Sequence, residues 1–350
     1  MMAAGIANAQ PPAPLDLQVL ETGTTVDGLN GGAANGEFDG VATKPDGTVH
    51  YFVDSISTFD GIFTSAGPAV FASESQLSTN TNFSAGDMDA DANNLYVSMF
   101  DSTAAKQSIW RIPHTGFGTA AKMVDETGST SVNLDEVSVD SKNSRLIINY
   151  NDSFAPATVE NIVYVPLTAT LATPTLLVTE AALEAALATI TGYADDTLDD
   201  INVYDMAVQS DGDIIASQGF SANRQVNGSL LRITDTGTVS VFRTGDQIIT
   251  AAGGNPALVD IGSVNVYRLQ DDRILIHVNA VSGIDEFIAV VSADGTSQIQ
   301  LVTDAQLTAD SSVTVSLVPA GQSICHNGAR SAMDGKSGDV AANDDYYFYR

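Results

Sequence analysis

Short apolar runs separated by turn residues recur along the whole chain, and residues 200–243 show the pattern most clearly. Met206-Ala207-Val208-Gln209 gives way to the turn Ser210-Asp211-Gly212-Asp213. Ile214–Ser217 follows, then a polar loop, Ser229–Thr234, an Asp235-Thr236-Gly237 turn and Val239–Phe242. Runs this short, broken by Asp-Gly and Thr-Gly pairs, predict antiparallel hairpins. Four such strands in succession, repeated along a chain, predict the blades of a β-propeller.

Two landmarks align the copies. An apolar residue preceded by small or acidic ones marks the start of the innermost strand, strand A. It occurs at Val41 after Asp39-Gly40, Met88 after Gly86-Asp87, Val137 after Asp135-Glu136, Met206 after Tyr204-Asp205, Val264 after Gly262-Ser263 and Val313 after Ser311-Ser312. The outermost strand, D, ends near Glu21, Glu74, Glu126, Glu180 and Asp304, with a weaker copy at Asp246. Six copies of each landmark predict an all-β, six-bladed propeller with four strands per blade.

Leu17–Gly23 is similar to Lys122–Gly128, so the first strand of the chain reads as a D strand that lacks its own A, B and C strands. It is expected to join the C-terminal blade and close the ring, removing an open sheet edge. That blade would hold Val313–Val318 as A, Ser323–Asn327 as B and Asp345–Arg350 as C. A second parse makes Gly338–Ala341 an A strand and Tyr346–Arg350 a B strand of an unfinished blade. Either way, residues 15–350 read as one domain behind a leader of residues 1–14. Glu180–Ile190 has helical spacing and strong helix formers, with Thr179 placed as its N-cap. Further insertions fall at residues 245–260 and 328–344.

Composition narrows the partners. The 43 acids against 14 bases give a net charge of -29, which argues against nucleic acid and against anionic membrane surfaces. The same charge suits cationic partners, or simply keeps the surface solvated. No run of 18 apolar residues is present. A single cysteine allows no internal disulfide. Ala7-Asn8-Ala9 before Gln10 fits a signal-peptidase site at the stump of a clipped leader, and the expected location is secreted or periplasmic.

The candidate chemistry follows from the architecture. In a propeller, the starts of the A strands and the ends of the B strands meet around one mouth of the central channel. Asp39, Asp87, Asp135, Glu136 and Asp205 lie at or beside A-strand starts, and Asp54, Asp101, Asn151, Asp152 and Asn279 at B-strand ends. Converging carboxylates repel unless a cation neutralises them, and oxygen-only ligands suit Ca2+. The equal alternative is that each Asp bonds its own loop amides. Acids ending the D strands, and those in Asp46-Gly47, Asp211-Gly212 and Asp294-Gly295, read as structural. His50 and His277 fall on B strands, where a packed or surface histidine is expected, and His114 in a C–D turn. His326 follows Cys325 near the rim and is a candidate general base; neighbouring strand residues face opposite ways, which argues against a paired Cys325 nucleophile. Walker, dinucleotide and nucleophile-elbow motifs are absent.

Phe38–Asp54, reading FDGVATKPDGTVHYFVD, resembles the first blade of the gluconolactonase / senescence-marker-protein family, and Val203–Gly212 is similar to a later blade. The resemblance extends to the related NHL-repeat and paraoxonase-like propellers. It implies six blades and a divalent cation on the axis, held by Glu37 or Asp39, with Asp135 and Asp205. The departures are Phe38-Asp39-Gly40 for the family's Glu-Gly-Pro, and Asp135-Glu136 and Tyr204-Asp205 for its Asn-Gly and Asp-Gly pairs. The resulting expectation is a calcium-dependent hydrolase of a lactone or similar ester, with Glu37, Asp39, Asp135 and Asp205 as metal ligands and Asp87 or Asp101 as the base. Two alternatives remain: a non-catalytic propeller that binds an extracellular protein or glycan on its top face, and a surface-layer or fibre subunit.

Overall fold

A computed structural model of the chain describes residues 36–44, 46, 48–55, 61–64, 69–73, 76, 83–101, 106–125, 132–152, 159–193, 201–219, 224–282, 284, 286–303, 338–340 and 346–348. Within these, the predicted hairpins form five four-stranded antiparallel sheets. Blade 1 comprises β1 (Gly36–Thr43), β2 (Val49–Ser55), β3 (Gly61–Thr64) and β4 (Ala69–Ser73). Blade 2 comprises β5 (Phe83–Ala90), β6 (Asn94–Asp101), β7 (Lys106–Pro113) and β8 (Ala121–Asp125). Blade 3 comprises β9 (Val132–Asp140), β10 (Arg145–Asp152), β11 (Val159–Pro166) and β12 (Thr175–Val178). Blade 4 comprises β13 (Val203–Val208), β14 (Ile214–Gln218), β15 (Leu230–Ile233) and β16 (Val239–Arg243), and blade 5 β17 (Asp260–Arg268), β18 (Ile274–Ser282), β19 (Phe287–Val291) and β20 (Gln298–Thr303).

The first strands touch one another in succession, β1 with β5, β5 with β9, β9 with β13 and β13 with β17. Strand A is therefore innermost, as its buried apolar landmarks require. The expectation of six four-stranded blades is corrected. A two-stranded sheet of β21 (Gly338–Val340) and β22 (Tyr346–Phe348) packs against both β17 and β1 and occupies the place between blades 5 and 1. Tyr346–Phe348 is thus the hairpin partner of Gly338–Val340, the pairing that the second parse expects. The expected strands 17–23, 313–318 and 323–327 lie outside the described residues.

Alternating side chains let each sheet bury both faces, and the core is divided among the seams between blades. Ala42, Phe52 and Ile62 of blade 1 pack on Met88, Leu95 and Ile112 of blade 2. Tyr96, Ile109 and Met123 on the other face of blade 2 pack on Val137, Leu146 and Ile148. Ile147 and Ile162 meet Met206, Ile214 and Leu231 across the third seam, and Ala207 and Ile215 meet Val264, Ile276 and Phe287 across the fourth. Each fully buried Ile, Leu or Phe contributes about 1.5–3 kcal/mol, so blade-to-blade stacking supplies most of the stability.

The predicted helix is present as α1 (Glu180–Leu187), which buries Leu183 and Leu187. Thr179 precedes it in extended conformation without a capping hydrogen bond from its side chain. A second helix, α2 (Gly245–Ala251), fills the 245–260 insertion. There Thr244 and Gln247 form a reciprocal capping box, with Gln247 N on Thr244 Oγ1 at 3.2 Å and Thr244 N on Gln247 Oε1 at 2.9 Å. Among the described residues no helix is long and apolar enough to cross a membrane.

Candidate functional site

The A strand of each four-stranded blade carries a register shift just before its apolar landmark. In β1 Asp39 is the extra residue, between Phe38↔Val53 and Gly40↔Phe52. Gly86 and Asp87 lie between the pairs Ala85↔Met99 and Met88↔Val97, and Asp135 and Glu136 between Leu134↔Tyr150 and Val137↔Ile148. Tyr204 and Gly262 are the extra residues in β13 and β17. A bulge re-aims the side chains beside it and twists the strand. Repeated five times around the inner ring, it separates two columns of residues that the sequence alignment treats as one.

The first column immediately precedes the landmark: Gly40, Asp87, Glu136, Asp205 and Ser263. All five are buried, and Gly40, Asp87 and Asp205 face the next blade. Asp87 Oδ2 accepts from Val137 N at 2.9 Å, and Asp205 Oδ2 from Val266 N at 2.8 Å. Asp205 Oδ1 accepts from Met206 N at 2.7 Å. A Cβ on Gly40 would meet the Met88 side chain of blade 2 at 3.4 Å. Asp89, two residues past Asp87, repeats the motif with Oδ2 on Val139 N at 2.7 Å. Ser138 Oγ donates to Met206 O at 2.7 Å. These groups fasten each inner strand to the next one.

The second column holds the bulged residues themselves: Asp39, Gly86, Asp135, Tyr204 and Gly262. Asp39 and Asp135 stand at equivalent positions near the channel mouth. The β1–β2 register sets Glu37 directly opposite Asp54, and the β5–β6 register sets Asp101 opposite Phe83. So Glu37, Asp39, Asp54, Asp101 and Asp135 share one end of three consecutive blades, whereas Asp87 and Asp205 lie in the seams. His326 is outside the described residues. Among the described residues no three His, Cys, Asp or Glu side chains converge as a ready metal centre.

Glu160 is a buried carboxylate that the sequence reading did not single out. It accepts from Asn149 Nδ2 at 3.0 Å, Asn151 Nδ2 at 2.7 Å and Val203 N at 2.9 Å. It therefore ties blade 3 to the entry of blade 4. The signal was available in principle, since a lone Glu at the head of the apolar run of strand C, opposite Asn151, needs buried donors. Glu160→Gln replaces one acceptor oxygen by a donor and is expected to cost about 1–3 kcal/mol, read as a lower urea midpoint at unchanged slope.

On the opposite face, the turn acids act as expected. Asp46 Oδ1 accepts from Thr48 N at 2.9 Å, Asp211 Oδ1 from Asp213 N at 3.1 Å and Asp294 Oδ1 from Thr296 N at 3.1 Å. The Thr48 amide holds Asp46 at a pKa of about 2, and the Ser292 hydroxyl, followed by the Thr296 amide, does the same for Asp294.

No family model matches the chain, and no curated protein matches it. Solved structures with a similar fold include a gluconolactonase from Xanthomonas campestris, 11% identical with a TM-score of 0.45 over 69% of each chain. A protein of unknown function from Bacteroides caccae is 11% identical, with a TM-score of 0.46 over 77% of this chain and 83% of that one. The calcium-binding protein regucalcin from Agrobacterium tumefaciens is 11% identical, with a TM-score of 0.37 over 69% of this chain and 82% of that one.

Proposed function

We propose that the chain is an exported propeller that binds a divalent cation, Ca2+ first, at the channel mouth formed by blades 1 to 3, and hydrolyses a lactone or ester there. The observation that supports this reading is the placement of Glu37, Asp39, Asp54, Asp101 and Asp135 at one end of neighbouring inner strands, with Glu37 in register with Asp54. Acidic residues set opposite each other across a strand pair destabilise it unless their charge is balanced. An all-oxygen donor set in flexible loops fits Ca2+. Glu37, Asp39 and Asp135 would hold the ion. Asp205, committed to the amides of Met206 and Val266, serves the seam in this reading. Bound Ca2+ would polarise the substrate carbonyl, and Asp101 would take a proton from the attacking water. Asp87, fully buried with Oδ2 on Val137 N, is assigned to the seam. A panel of lactones and aryl esters, assayed with calcium and with chelator, tests the reading. Turnover that requires calcium and falls at least tenfold in Asp101→Asn supports it; no turnover of any substrate with calcium bound refutes the catalytic part.

A second reading has its own support. Asp87, Asp89 and Asp205 on the inner strands bond backbone amides, as in a rigid scaffold that offers its top-face loops to an extracellular protein or glycan. A cation would then be structural, and calcium would stabilise the fold without any turnover.

A further inference from the structure

His50 and His114 meet across the seam between blades 1 and 2, on the side away from the acidic mouth. His50 lies near the start of β2, opposite Ala42 and Thr64, and only 1% of its surface is exposed. His114 follows β7. The ring centroids are 5.5 Å apart with the planes tilted by 31°, and the edge of Phe71 closes on His50 at 4.6 Å. His114 Nε2 is 2.8 Å from Asp91 O. A carbonyl only accepts, so Nε2 carries the proton and Nδ1 the lone pair. The Nδ1 atoms of both histidines are buried without a hydrogen-bond partner. Two solvent-excluded, unpartnered imidazole nitrogens on rings this close call for a partner.

We propose that His50 and His114 form a two-imidazole site for a borderline divalent transition-metal ion, Zn2+ first among them, which clamps blade 1 to blade 2. Imidazole is a preferred ligand of such ions, whereas Ca2+ takes oxygen. Two imidazoles sharing an ion at about 2.0–2.1 Å per nitrogen place their ring centroids roughly 5–6 Å apart. The bond from His114 Nε2–H to a backbone carbonyl is the usual outer support of a metal-ligating histidine. Burial holds both rings neutral, with the His50 pKa pushed down to about 3 and that of His114 also lowered, so both lone pairs are available at pH 7. The charges that reach both rings from blade 1 are those of Lys44 and, less strongly, Asp46, which are paired with each other at 3.1 Å. No third His, Cys, Asp or Glu side chain among the described residues joins them, so water would complete the coordination. This site is independent of the acidic mouth.

The test is calorimetric titration of the chelator-treated full chain with ZnCl2 at pH 7.5, in excess calcium to saturate the mouth. One equivalent is expected to bind and to raise the melting temperature. His114→Gln, a change in a half-buried turn, is expected to weaken that binding at least tenfold while leaving the circular dichroism spectrum intact; His50→Gln should do the same if it folds. Co2+ in place of Zn2+ should give visible absorption bands that vanish in His114→Gln. No zinc binding by the wild type, or stoichiometric binding that His114→Gln leaves unchanged, overturns the proposal.

Discussion

Replacing Asp205 by Ala is expected to lower the unfolding free energy by about 2–5 kcal/mol, because two buried amides lose their acceptor at once. Oδ1 takes the Met206 N–H within its own blade and Oδ2 takes Val266 N–H on the next. Neither amide gains a replacement partner from a methyl group. Asp205→Asn keeps the volume but turns an NH2 donor toward one of the two N–H groups, so it should fall between wild type and Ala. Urea unfolding of the three proteins measures this, with a lower midpoint at constant slope as the expected result. Gly40 occupies the same column in blade 1, and its seam closes on Met88 by packing alone. In blades 2 and 4 the acid at this column position serves an amide of the next blade.

The second large effect is expected at Arg145, on the opposite face. Its Nε donates to the fully buried Asp140 Oδ2 at 2.7 Å, and its Nη2 donates to Asp235 O of blade 4 at 3.0 Å. The guanidinium lies 5.1 Å from the centre of the Tyr164 ring. Arg145→Ala strands the Asp140 carboxylate in the interior without its counter-charge and is expected to cost about 3–5 kcal/mol. The Asn143 bonds to Asp140, 3.0 Å from N and 2.8 Å from Nδ2, support the carboxylate without neutralising it. Removing both charges is milder than removing one, so the double variant Arg145→Met with Asp140→Asn should be more stable than Arg145→Met alone. Arg145→Lys should recover only part of the loss, since an ammonium lacks the planar fork that reaches two acceptors. Exposed pairs such as Arg273 with Asp271, at 2.6 Å, contribute about 0–1 kcal/mol each.

The blades were legible in the sequence because period-two apolar runs and Asp-Gly turns are local signals. All five inner-strand landmarks from Val41 to Val264 fall on inner strands. The last sheet was harder to place, because Tyr346–Phe348 reads equally well as a second or a third strand and only pairing distinguishes them. Thr179 has the chemistry of an N-cap, yet the neighbouring Glu180 is drawn back to Glu160 N at 3.0 Å, a tertiary contact invisible to local rules. The acids carried the hardest ambiguity. Asp39 and Asp205 look alike beside their apolar neighbours, but a one-residue bulge separates a position at the mouth from one in the seam. Strict alignment on the apolar landmark would have put Asp205 with Asp87 and Gly40, and Asp39 with Asp135.

Thermal melting with and without calcium, in Asp135→Ala and Asp205→Ala, tests that separation directly. Calcium is expected to raise the melting temperature of the wild type and of Asp205→Ala by similar amounts, although the latter starts lower. Asp135→Ala should melt near the wild type without calcium and gain nothing when calcium is added. A calcium shift that survives in Asp135→Ala and disappears in Asp205→Ala, or no shift in the wild type, would contradict it.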